Sequence, residues 1–147
     1  MKRFSTRLLV AVATLAAGVI ALSGCTAGST GSAATQYQNS ESAYDQLVIV
    51  GDQVIYLTTS ADHVVDMLKL TDAGDIDPEG EYVEDVGQLN EARDTVIWSD
   101  GDDDPIEITD DMIRLTDPNA GSDSAVYIRY DDERASTERE RVIAEKS

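Results

Sequence analysis

Apolar and polar residues fall into four regimes along the chain. Leu8 to Leu22 contains no charge and follows a basic start of Lys2, Arg3 and Arg7. From Thr26 to about Ala43 large apolar side chains nearly vanish, and Tyr37 stands among Ala, Gly, Ser, Thr, Gln and Asn. Apolar residues return at Leu47 and persist to about Tyr130 in short runs rich in β-branched and aromatic residues. Beyond Asp132 the chain is charged, and Val142 and Ile143 are its only large apolar residues.

The third regime carries the fold. β-Branched and aromatic enrichment predicts strands at Leu47 to Val50, Gln53 to Thr58, Glu81 to Val86, Thr95 to Trp98, Ile106 to Ile108 and Ala125 to Tyr130. Gly51-Asp52 between two of these runs suits a tight hairpin with glycine at its first central position. The aromatic residues Tyr56, Tyr82, Trp98, Tyr127 and Tyr130 are expected in the core, since a domain this small needs large side chains.

A short internal similarity adds to the picture. Asp66-Met67-Leu68-Lys69-Leu70-Thr71-Asp72 recurs as Asp111-Met112-Ile113-Arg114-Leu115-Thr116-Asp117, and Tyr82-Val83 recurs at the same shift as Tyr127-Ile128. Val54-Ile55-Tyr56 and Val96-Ile97-Trp98 precede the two copies. Leu68 and Leu70, like Ile113 and Leu115, alternate with polar neighbours, and period two favours a strand in each copy. A helix starting near Ser60 competes for the first copy, because Val64, Met67 and Leu68 also share a helical face and Ser60 could cap it. The expectation is a mainly β or α+β domain over residues 44–131. It has about six short antiparallel strands, divisible into two similar three-strand units.

The flanks read differently. Residues 25–43 cannot bury enough surface to offset their ordering entropy, so they read as a flexible linker with a span of about 25 Å. Residues 132–147 carry mixed charges at helical spacing and read as a short exposed helix or a frayed tail.

Residues 1–24 have the order of parts of a cleaved secretory leader, a basic start followed by a short apolar helix-forming run. The run is shorter than the ~20 residues a membrane span needs and is followed by small polar residues rather than basic ones. It ends in Leu22-Ser23-Gly24-Cys25, which resembles the lipobox of bacterial lipoproteins at all four positions. The resemblance implies signal-peptidase recognition through Leu22, Ser23 and Gly24. It also implies a diacylglyceryl thioether on Cys25 and anchoring at the extracytoplasmic face of the cell membrane. Two or three acyl chains, at roughly 0.8 kcal/mol per buried methylene, hold a protein to a membrane durably. Cys25 is the sole cysteine, so no internal disulfide can form and stability must come from packing.

The whole chain has a net charge of −18, and removal of Lys2, Arg3 and Arg7 with the leader takes it to −21. Such a field repels nucleic acid, anionic lipid and acidic polymers and attracts cations and basic partners. Nucleic-acid binding is thereby excluded. The charge also keeps a crowded surface domain soluble.

Candidate chemistry is sparse. Asp75, Asp77 and Glu79, followed by Gly80, fall at positions one, three, five and six of a loop resembling an EF-hand loop, but position twelve is Val86 rather than Glu. Asp100, Asp102 and Asp104 repeat the spacing with Pro105 in place of the glycine. Both triplets are candidate calcium ligands, and both equally suit solvated acidic turns. His63 is the only histidine and has no activated nucleophile nearby in sequence. Adjacent carboxylates such as Glu84-Asp85 are too common here to mark a glycosidase, and no glycine-rich phosphate loop occurs.

The sequence therefore points to a lipid-anchored envelope protein with a small acidic ectodomain. The expected role is a non-catalytic binding or interaction module, with membrane lipid at Cys25 and an envelope protein or basic ligand as partner. A calcium-stabilised module and an accessory envelope hydrolase are the alternatives; no other cofactor is implied.

Overall fold

The computed structural model of the chain describes residues 33–116 and 124–147. The leader, Cys25 and the first part of the proposed linker lie outside the described residues.

Eight antiparallel strands form a closed barrel in simple sequence order. They are β1 (Thr35–Asn39), β2 (Asp45–Val50), β3 (Gln53–Thr58), β4 (Val83–Leu89), β5 (Thr95–Trp98), β6 (Asp103–Ile108), β7 (Met112–Thr116) and β8 (Ser124–Arg129). Pairing of β1 with β8, with Tyr37 opposite Arg129, closes the ring. Helix α1 (Val64–Ala73) is inserted between β3 and β4, and α2 (Glu133–Lys146) follows β8. The mainly β, antiparallel class expected from the sequence is observed, but with eight strands rather than about six. They run as one continuous meander rather than two three-strand units.

Strand alternation sorts the side chains into an interior and an outer layer. Tyr37, Leu47, Ile49, Val54, Leu89, Val96, Trp98, Ile106, Ile113 and Tyr127 fill the barrel. An eight-stranded barrel is just wide enough for its own side chains to fill. A second cluster lies outside the wall, where Met67 of α1 packs with Val48, Ile55, Leu57 and Ile76. A third joins the two helices, with Val64 and Leu68 of α1 meeting Ala43 and Val142.

Gly51 has φ 64° and takes the first central position of the β2–β3 hairpin, as its sequence context predicts. Gly87 has a different role. On β4 it faces the interior opposite Trp98, and a Cβ there would lie 2.5 Å from Val96 Cγ2 and 2.9 Å from Trp98 Cε3. The glycine makes room for the indole.

Three expectations change. The stretch read as linker over 25–43 supplies β1 at Thr35–Asn39, and Ala43 is fully buried, so the folded domain starts before residue 44. The first copy of the repeated heptapeptide is helical, not extended. Its N-cap is His63 rather than Ser60, and Gly74 in the left-handed conformation ends it, with Asp75 N–H donating to Leu70 O. The short helix, one of the two readings for residues 132–147, is observed at Glu133–Lys146, but it is docked rather than exposed along its length, with Ala135 and Val142 buried.

Candidate functional site

The barrel interior is not uniform along its axis. At the end that bears the β1–β2 and β5–β6 connections, the inward row turns from apolar to polar. Alternation places Asp45 two residues before Leu47, Asp85 two before Gly87, and Asp104 two before Ile106, so all three carboxylates share the inward face of their strands.

Each carboxylate is held by neutral donors. Thr58 Oγ1 donates to Asp45 Oδ1 at 2.7 Å and Tyr56 Oη donates to the same oxygen at 3.3 Å. Ser99 Oγ donates to Asp85 Oδ1 at 2.5 Å. Trp98 Nε1 donates to Asp104 Oδ2 at 2.8 Å. None of the three joins an ion pair among the described residues. The arginines and Lys69 pair instead with carboxylates on the outer surface, or in the case of Arg139 with neutral atoms.

The phenols at this end register the local charge. Burial pushes the Tyr127 hydroxyl well up, with Tyr56 and Asp45 adding to the effect. Burial also raises Tyr56, and Asp45 reinforces the shift. Both stay protonated and serve as hydrogen-bonding groups, not as bases.

A cavity of about 390 Å³ opens at this mouth, lined by Asn39, Ser40, Glu41, Asp104, Leu115, Ser124, Ala125 and Val126. Leu115 and Ala125 pack on the barrel core and form an apolar floor. Glu41, Asp104, Asn39 and the two serines supply the polar rim. The lining thus sets a few polar groups beside apolar side chains.

The chain matches no protein-family model, no curated protein and no solved structure.

The structure separates most of the candidates named from sequence. Asp75, Asp77 and Glu79 lie in the α1–β4 connection, where Asp77 Oδ1 accepts from Glu79 N–H at 2.9 Å in a local turn. Asp100 Oδ1 accepts from Asp102 N–H at 3.0 Å in the β5–β6 turn, while Asp104 faces inward to Trp98. No group of three or more His, Cys, Asp or Glu side chains among the described residues is arranged to hold a metal ion. His63 is exposed at the start of α1 and makes no side-chain cap bond. Glu84 is exposed while its neighbour Asp85 turns inward.

Leu22, Ser23, Gly24 and Cys25 lie outside the described residues. Asp45, Asn39, Ser40, Glu41 and Leu115 were not singled out as site residues by sequence. For Asp45 the available signal was parity, an acidic residue two positions before an inward apolar one.

Proposed function

We propose that the chain is a lipid-anchored protein of the cell envelope whose barrel is a non-catalytic binding module for a basic ligand, taken at the acidic mouth. The observation that carries this is the inward row of Asp45, Asp85 and Asp104, satisfied by neutral donors only and lying at the end that bears the open cavity. Ten buried side chains occupy the barrel interior, and the open cavity lies at its mouth, where recognition is placed. An amine or guanidinium presented to Asp104 and Glu41, with its carbon stem on Leu115 and Ala125, complements both charge and polarity. The lipobox resemblance supplies the address, and the overall negative charge attracts basic groups.

Two measurements test the two halves. Mass analysis of the purified mature product is expected to show acyl groups on Cys25 and partitioning into detergent, both lost in Cys25→Ser. A bare thiol at Cys25 ends the anchoring half. For binding, Trp98 is the only tryptophan and donates to Asp104, so its emission reports the mouth. Titration with a diamine or a short lysine peptide is expected to give a saturable change in emission. Asp104→Asn, which keeps an acceptor for Trp98, is expected to weaken binding about tenfold, the equivalent of losing roughly 1.4 kcal/mol. An uncharged analogue giving the same response, or no saturable response to either amine, would overturn the binding half.

A further inference from the structure

The two helices are fixed to the barrel very differently. α1 buries Val64, Met67, Leu68 and Thr71 within 10 residues. α2 buries only Ala135 and Val142 within 14.

What holds α2 is mainly polar. Arg139 Nη1 donates to Gln38 Oε1 at 3.1 Å and to Tyr130 O at 3.0 Å, and its guanidinium stacks 3.6 Å from the Tyr130 ring centroid. Gln38 Nε2 donates to Ala135 O at a long 3.4 Å. The wall is correspondingly polar where α2 meets it at Gln38 on β1, whose register partner on the outward face of β2 is Gln46, and both are buried.

Beside Gln38, Gln46 is fully buried and, among the described residues, neither its Nε2 nor its Oε1 finds a hydrogen-bond partner, so this stretch of wall gains little from being covered. The strands do not depend on α2, because β1 and β8 close the ring by their own backbone pairing.

We infer that α2 is a detachable strap that leaves the barrel as one unit while all eight strands stay paired. Opening exposes Gln38 on β1 and frees Val142 from Val64 and Leu68. It is a sub-global event of the kind that hydrogen exchange resolves from complete unfolding.

Native-state hydrogen exchange on the mature full chain in low denaturant tests this. Amides from Thr137 to Ile143 are expected to exchange together, at least ~100-fold faster than those of β2 and β3 and with little denaturant dependence, since the opening exposes little surface. Gln38→Leu removes the acceptor for Arg139 and the donor to Ala135 O and is expected to speed α2 exchange several-fold relative to the barrel. Arg139→Ala is expected to speed α2 exchange while leaving β2 and β3 protected. A common rate and a common denaturant slope for α2 and the barrel strands would overturn the inference. So would a Gln38→Leu effect that moves both sets equally.

Discussion

Replacement of Gly87 by alanine tests the packing of the barrel with the smallest possible perturbation. The new methyl carbon would start 2.5 Å from Val96 Cγ2, 2.9 Å from Trp98 Cε3 and 3.2 Å from Ile97 O. Two of these approaches are impossible, and neither neighbour can retreat, because Val96 is fully buried and Trp98 is tied to Asp104. Overpacking of this kind costs about 1–3 kcal/mol, against a gain of about 0.4–1 kcal/mol from a stiffer unfolded chain. The clash wins, with a net loss of about 1–2 kcal/mol. At about 4–8 °C per kcal/mol for a domain near this size, the melting temperature falls by about 4–16 °C. Thermal melts followed by Trp98 emission and far-UV circular dichroism measure it. Adding Val96→Ala should make the combined loss smaller than the sum of the single losses by about 1 kcal/mol, since it removes the nearest obstructing atom. A Gly87→Ala protein that melts at or above the parent temperature, or strictly additive losses in the pair, refutes the packing argument.

Other outcomes follow from single contacts. Gly74→Ala places a Cβ in open space but at φ 73°, so it loses about 1 kcal/mol by backbone strain alone, measurable by denaturant titration and independent of Val96. Trp98→Phe withdraws the donor from Asp104 and is expected to cost more than its lost area implies, with Asp104→Leu in the same background recovering part of the loss in chemical denaturation. Asp132 caps α2, and the Arg134 side chain, then its backbone N–H, holds its carboxyl down at about 2. Its contribution to the helix is complete above the ordinary value of about 4 and is lost as pH falls from there to about 2, so α2 amides should lose protection over that interval. Millimolar calcium is expected to leave the melting temperature unchanged, since neither acidic triplet converges; a rise of several degrees would contradict that.

Much of the barrel is legible in the chain because its strands obey period two. β3 and β5 fall within the predicted limits, and β2, β6 and β8 overlap them, because Val, Ile and aromatic residues point inward at alternate positions. β1 escapes for a physical reason. Its outward residues Gln36 and Gln38 are covered by helices through hydrogen bonds rather than apolar contact, so only Tyr37 carries a hydrophobic signal. The mouth escapes for another. With 29 acidic residues in the chain, an Asp is uninformative until the register shows which face it takes. Glu84 and Asp85 are adjacent in sequence, yet one is exposed to solvent and the other receives the Ser99 hydroxyl.

The repeated heptapeptide shows how far local sequence can carry a structural assignment. In α1 the burial follows Val64, Met67, Leu68 and Thr71, a helical stripe that needs Val64 from upstream of the repeat and leaves Leu70 42 % exposed. In β7 the corresponding Leu115 packs on the barrel core beside buried Ile113, and polar Arg114 faces out between them. The residue types match, and both periodicities are present in the same seven letters. What differs lies outside them. The first copy runs into Gly74, whose left-handed conformation closes a helix, and it has the exposed faces of β2 and β3 to cover. The second has Thr109 just before it, accepting from Met112 N–H and donating to Met112 O, and it is flanked by β6 and β8, which saturate both edges. Exchange of the two heptapeptides should therefore preserve a helix at 66–72 and a strand at 111–116, because partners rather than propensity choose between the two periods.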